Sequence, residues 1–170
     1  TAAALYYAFK SGETLSGIYT VYDLGGGTFD VSIIRVDGQD VEVLATNGVS
    51  KLGGDDFDAM ILKLVQDKYK AKTGEDLEPE DFTKNDAEQE KKSLSKRDKV
   101  TIRVARQLID ISREEFEETI SALISQAEML CEATIEEAEI EVGDIQGVLL
   151  VGGSTRIPAV TESVKRVFEQ

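Results

Sequence analysis

Asp23-Leu24-Gly25-Gly26-Gly27-Thr28-Phe29-Asp30 is the stretch on which the fold turns. The run Gly17-Ile18-Tyr19-Thr20-Val21-Tyr22 leads into it, and Val31-Ser32-Ile33-Ile34-Arg35-Val36 leads out. Both runs read as strands, so the octapeptide reads as the tip of a β-hairpin. An ordinary hairpin tip uses one glycine, often after Asn or Asp. Three in succession add to the chain entropy lost on folding. What they offer is backbone that can take φ > 0 and lie close to a ligand. Successive N–H groups in such a loop can cradle an anion such as a phosphate. Asp23 and Thr28 bracket the tip with a carboxylate and a hydroxyl, the oxygen donors needed near a hydrated divalent metal and a terminal phosphate. The competing reading is a glycine-rich turn with no ligand.

Around this tip the pattern predicts a three-stranded meander over 18–23, 29–36 and 41–46, with Asp37-Gly38-Gln39-Asp40 as its second turn and Asn47-Gly48 as a turn after the third strand. Gly53-Gly54 opens a helix near 55–72 with Phe57, Ile61, Leu64 and Val65 on one face. Pro79 fits the first turn of a second helix running to about Leu94. Lys99–Val104 and Gln107–Asp110 alternate as a second hairpin. Ser112-Arg113-Glu114-Glu115 then fits a capping box, and Ile111 with Phe116 a hydrophobic staple, at the head of a helix reaching about Ala138. Gly147-Val148-Leu149-Leu150-Val151 is a continuous apolar run, as in a strand buried on both faces of a parallel or mixed sheet. It ends at Gly152-Gly153, and Val160, Val164, Val167 and Phe168 mark a closing helix. Thr1-Ala2-Ala3-Ala4-Leu5-Tyr6-Tyr7-Ala8-Phe9 reads as a helix entered partway, as in a piece of a longer protein.

The 170 residues suit one domain or two small subdomains. A net charge of −14 argues against nucleic acid and anionic membranes as main partners, since both demand a basic face. Nucleotides need only local positive groups and N–H donors. No apolar run is long enough for a transmembrane helix. With one cysteine, Cys131, and no histidine, an internal disulfide is impossible and zinc or thiol catalysis is poorly supported. A reducing compartment suits such a chain, with Cys131 as a packed hydrophobe.

Two further constellations stand apart from the first tip. Strand, Gly152-Gly153 turn and helix start form a natural anion or nucleotide site, although a tight strand-to-helix connection would also look so. If both glycine-tipped strands share a sheet, both tips can face one cleft. Neither tip is a Walker A loop or a Gly-x-Gly-x-x-Gly fingerprint. Glu88, Lys91, Lys92 and Ser95 fall at i, i+3, i+4 and i+7, one face of the second helix. A carboxylate and a hydroxyl there could bond ribose hydroxyls, with Lys92 over a flat base. The plain alternative is a solvated face with i, i+4 ion pairs.

Asp23–Ile33, Leu52-Gly-Gly-Asp-Asp-Phe-Asp58 and Val151-Gly-Gly-Ser-Thr-Arg-Ile-Pro158 together resemble the DnaK-type 70-kDa heat-shock chaperones, the Hsp70 family, across nearly the whole chain. The resemblance implies an α/β fold, namely lobe II of an ATPase domain. It would comprise a ribonuclease-H-like base subdomain with a mixed sheet, as in the actin, hexokinase and chaperone ATPase superfamily (1–52 and 131–170), and a smaller α+β subdomain (53–130). It implies that Gly25, Gly26, Gly27 and Thr28 hold the β- and γ-phosphates of ATP or ADP. Asp23 and Asp30 would lie near the waters of a magnesium ion, with Asp23 acting through water and potassium also present. Asp23, Thr28 and Asp30 would serve hydrolysis. Gly152, Gly153, Ser154, Thr155 and Arg156 would meet the α-phosphate or adenosine, and Glu88, Lys91, Lys92 and Ser95 the adenosine. Many members sandwich adenine between two arginines, whereas here Lys92 faces Arg156 in that role, and lysine has no plane to stack. Glu90 stands where a small residue is usual, and the second hairpin is shortened. The implied parent is a cytoplasmic, stress-responsive protein-folding chaperone with unfolded peptide clients, a J-domain co-chaperone and a nucleotide-exchange factor. An organelle is left open. The chain alone would be an inactive fragment, because the other lobe's catalytic groups are absent from it. The rivals are a sugar or acetate kinase and an actin-like filament protein.

Overall fold

The computed structural model describes residues 16–169, so the helix expected at Thr1–Phe9 lies outside the described residues. The chain forms two compact units. The first runs to Gly53 and resumes at Leu123, and the second is Gly54–Ala122. The second break falls earlier than 130/131, inside an uninterrupted 25-residue helix, Arg113–Glu137 (α3), which contributes to both units.

In the first unit, β1 (Ser16–Leu24), β2 (Thr28–Asp37), β3 (Asp40–Ser50) and β6 (Ile145–Val151) make one sheet in the order β3-β2-β1-β6. The first three strands pair antiparallel and β6 pairs parallel to β1, the mixed α/β sheet expected. Its centre is dry. Phe29, Val31, Ile33 and Ile34 are fully buried, and the Tyr22 and Phe29 rings lie 4.8 Å apart. Burial pushes the Tyr22 hydroxyl well above the usual phenol range and the Cys131 thiol up to about 12, so neither ionises near neutrality.

β3 outruns its expected end. Asn47 and Gly48 sit in the ladder opposite Val31 and Asp30 instead of turning. The Asn47 amide donates to Thr134 Oγ1 (2.9 Å) and Glu137 Oε2 (3.1 Å), tying β3 to α3, so tertiary partners override the local turn signal. β6 is an edge among the described residues and is not buried on both faces. Val148, Leu149 and Val151 are half-buried and Leu150 is 42% exposed. An apolar run reports strand preference, but the number of neighbouring strands is a property of the assembled sheet. The closing helix is α4, Pro158–Phe168, with proline in its first turn. It is tied to α3 by Ser163 Oγ donating to Glu128 (2.7 Å) and by an Arg166–Glu128 ion pair.

The second unit holds α1 (Gly54–Thr73), α2 (Lys84–Leu94) and the hairpin β4 (Lys99–Val104) and β5 (Gln107–Ser112). α2 begins five residues after Pro79, because Thr83 and Asp86 close a capping box. The Thr83 N–H donates to Asp86 (2.8 Å) and the Asp86 N–H donates back to Thr83 Oγ1 (3.3 Å). Pro79 instead leads a turn closed by the Asp81 N–H on the Glu78 carbonyl (3.1 Å). β4 and β5 bury Val100, Ile102, Val104, Ile109 and Ile111 on one face. Lys68 and Lys72 of α1 donate to the Asp110 and Leu108 carbonyls (2.6 and 2.9 Å) and so occupy polar groups along the edge of β5.

The α3 capping box and staple form as the spacing predicts. The Ser112 N–H donates to Glu115 (2.9 Å), the Glu115 N–H donates to Ser112 Oγ (3.1 Å), and Ile111 and Phe116 are buried. Ser112→Ala should cost about 1 kcal/mol, a fall in Tm of about 2–4 °C read by circular dichroism. Lys68, 2.6 Å away, and the Ser112 N–H hold the Glu115 carboxyl below its ordinary 4.5. A depressed carboxyl stabilises the fold above its unfolded value and loses that effect as pH falls through the folded one. Glu115→Gln should therefore flatten the acid limb of the stability curve below about pH 4.5. Parallel curves for variant and parent would contradict this.

Candidate functional site

Three glycine turns converge at the carboxyl ends of β1 and β6. Leu24 closes β1, and the Gly25 N–H donates to the Thr28 carbonyl (3.1 Å) across the tip. Parallel pairing sets Asp23 beside Val151, so Gly152 arrives next to this tip. Gly152 has φ +95°, and a Cβ on it would overlap the Leu24 carbonyl and lie 3.2 Å from the Gly25 nitrogen. The third turn comes from Leu52-Gly53. A Cβ on Gly53 would lie 2.7 Å from both the Gly25 and Gly26 carbonyl oxygens. These two glycines are dictated by backbone lying on backbone.

The tip itself differs. Gly25 and Gly27 do not use the left-handed backbone that three glycines permit. A Cβ on Gly27 would meet nothing within 4 Å, and one on Gly25 only the Thr28 carbonyl at 3.8 Å. Gly26, Gly27 and Thr28 are exposed, and no backbone acceptor within the described residues takes the N–H of Gly26 or Gly27. Packing therefore does not require glycine at 25 and 27. An open concavity of N–H donors is what their missing side chains leave.

Two carboxylates stand beside it. Asp23 and Asp30 are direct partners across β1 and β2, so both project from the same sheet face. Like charges directly opposed destabilise a sheet. Asp30 also takes a long bond from Thr28 Oγ1 (3.4 Å) and lies over Gly48, where a Cβ would collide with its Oδ1. Gly48 is thus a site-shaping residue that the Asn47-Gly48 turn signal hid. At the other tip a short 3-10 turn, Gly153–Arg156, follows Gly152. Thr155 donates its hydroxyl to the Gly152 carbonyl (2.7 Å), Ser154 and Thr155 are buried, and Arg156 is exposed.

In the second unit the four-residue stripe on α2 divides. Glu88 and Lys92 pair at 2.8 Å and keep 40% and 59% of their side chains exposed. The Lys92 charge holds the Glu88 carboxyl below its usual range. Ser95 caps the helix end, donating to the Lys91 carbonyl (3.3 Å). Lys91 turns inward. Its Nζ lies 2.7 Å from Asp58 Oδ1 and 3.2 Å from the Gly54 carbonyl, with 10% and 5% of the Lys91 and Asp58 side chains exposed. Burial pushes the Asp58 carboxyl above its ordinary value against the pull of the Lys91 charge. Asp58 carries no signal by itself. Its spacing three residues into an apolar helical face, at Phe57 and Ile61, is the one clue that it is buried.

The model of the family described as "Hsp70 protein" matches residues 1–170. The chain belongs to the Hsp70 family. It is 43% identical over 169 residues to the chaperone protein HscA homolog of Histophilus somni (strain 129Pt). It is 40% identical over 168 residues to chaperone protein HscA of Escherichia coli O17:K52:H18 (strain UMN026 / ExPEC), and 39% over 168 residues to that of Enterobacter sp. (strain 638). In each case 99% of this chain aligns with 27% of the relative, so it spans about a quarter of their length. Family membership sets aside the kinase and filament rivals, whose glycine loops alone would have resembled these. No helix among the described residues is long and apolar enough to cross a membrane.

Alanine should separate two kinds of glycine. Gly53→Ala and Gly152→Ala should each cost about 1–3 kcal/mol, from overpacking and from φ strain respectively. Gly27→Ala should stay within about 0.5 kcal/mol. Urea unfolding of the three variants reads this directly.

Proposed function

We propose that this chain is one lobe of the ATP-binding and ATP-hydrolysing domain of a protein-folding chaperone. The observation that carries the reading is the tip at Gly25–Gly27, where glycine is kept although packing leaves room for side chains. Close approach of an anionic ligand to the backbone accounts for it. The β- and γ-phosphates are assigned to Gly25, Gly26, Gly27 and Thr28. The α-phosphate or adenosine side falls to Gly152, Gly153, Ser154, Thr155 and Arg156, and the nucleoside to Glu88, Lys92 and Ser95. Lys92 and Arg156, exposed and cationic, would flank the adenine, with weaker stacking from the lysine.

The opposed Asp23 and Asp30 suit a hydrated magnesium ion, because a divalent cation turns their mutual repulsion into attraction. Magnesium would neutralise charge on the phosphates, and potassium is compatible with the same oxygen donors. Asp23, acting through metal-bound water, and Asp30 would fix the terminal phosphate's orientation, and Thr28 would donate its hydroxyl there. This positioning is what phosphoryl transfer to water chiefly needs from a protein. In the parent, nucleotide-dependent closure would bias a domain that holds unfolded peptides, with a J-domain co-chaperone and an exchange factor acting on the cycle. A reducing, cytoplasmic setting agrees with the free, buried Cys131.

Nitrogen-15 NMR of the whole chain, titrated with ADP in magnesium and then in EDTA, tests the reading. Amide shifts should concentrate at Gly25–Thr28 and Gly152–Arg156 and need magnesium. Shifts elsewhere, or none at millimolar ADP, would sink it. Asp30→Asn should stabilise the nucleotide-free chain by about 0.2–1 kcal/mol, through removal of a like-charge cross-strand pair. The same substitution should abolish the magnesium dependence of ADP binding.

A further inference from the structure

The α2 stripe that reads from spacing as one ligand-facing surface is not one surface. Lys92 presents its ammonium to solvent with Glu88 beside it. Lys91 buries its ammonium between Asp58 Oδ1 (2.7 Å) and the Gly54 carbonyl (3.2 Å). An ammonium has three donors, and two of them have these fixed acceptors. A buried charge is tolerated only with a paired, hydrogen-bonded counter-charge, and Asp58 supplies it.

The acceptors are informative. Gly54 is the first residue of α1, and Asp58 lies one turn further on. Lys91 thus grips the first turn of α1 at two successive levels. Gly54 is also covalently next to Gly53, whose backbone rests on the Gly25 and Gly26 carbonyls.

We propose that Asp58 and Lys91 form a buried strut that fixes α2 against the first turn of α1. Lys91 then influences nucleotide binding by positioning Glu88, Lys92 and Ser95, and does not touch the nucleotide. The inference rests on the nucleotide reading above and reassigns one of the residues that resemblance places on the ligand. Asp58 becomes a positioning residue of equal weight, and the Glu88–Lys92 pair remains free to exchange its internal contact for a ligand.

The experiment uses the whole chain, with two readouts on each of two variants: Tm by circular dichroism and the ADP–magnesium dissociation constant by NMR titration. Lys91→Met leaves the Asp58 carboxylate buried and unpaired. It should lower Tm by about 10 °C and weaken ADP about tenfold or more as α2 loosens. Asp58→Val with Lys91→Met replaces the pair by apolar side chains, which can restore the packing that a broken ion pair forfeits. That double variant should recover Tm to within about 3 °C of the parent and ADP affinity to within about twofold.

Recovered Tm with affinity still about tenfold down would show Lys91 to be a direct ligand and overturn the proposal. An unrecovered Tm would overturn the strut, because the pair would then be doing something that packing alone cannot. Absence of ADP binding by the parent chain is a third, separate result. It removes the nucleotide reading and the positioning role with it, before either variant is compared.

Discussion

Everything at the candidate site depends on one constraint, backbone packed against backbone where β1 ends. The Leu24 carbonyl and the Gly25–Gly26 segment are pressed from one side by Gly152 and from another by Gly53, at separations that leave no space for a β-carbon. Such contacts bring three chain segments to one point without any side chain to hold them there. Precision comes instead from the strands behind. β1 and β6 run parallel in fixed register, with Asp23 beside Val151, so both strands end at one level and their turns meet. A one-residue slip would move Gly152 off Leu24 and swap every side chain's face.

The same geometry explains why charge is tolerated at the tip. Asp23 and Asp30 face one another at the last rungs of the β1–β2 ladder, with Asp30 half a turn of hairpin from an open row of N–H groups. Gly48 yields the space the Asp30 carboxylate occupies. A sheet end made of opposed acids, exposed amides and missing side chains is less stable than an ordinary hairpin, and it is ready for a cation and an anion together. In the second unit, function and stability have been separated along one helix. The exposed Glu88–Lys92 pair is worth little to the fold, as surface pairs are, whereas Lys91 and Asp58 are inside it.

Local signals were readable wherever the chain solves its own problem. The Ser112–Glu115 box, the Ile111–Phe116 staple and the alternation of β4 all satisfy groups within a few residues, so spacing alone announces them. Reading failed where a distant partner decides. Pro79 looked like a helix start, but the Thr83–Asp86 box was the better cap. Asn47-Gly48 looked like a turn, but α3 held Asn47 in the sheet. β6 looked buried on both faces, but it has only β1 beside it among the described residues.

Order and spacing of three motifs by themselves determined the family, the mixed α/β class and which segment carries phosphate-like chemistry, because glycines, acids and apolar runs at set intervals admit few physical readings. Only the tertiary structure decided which glycines serve packing and which stand open, and which lysine of the α2 stripe meets solvent. The reason is the same in both cases. Whether a side chain, or its absence, faces a neighbour or water depends on segments brought together from far apart in the chain, and periodicity along one segment carries no record of what lies across from it.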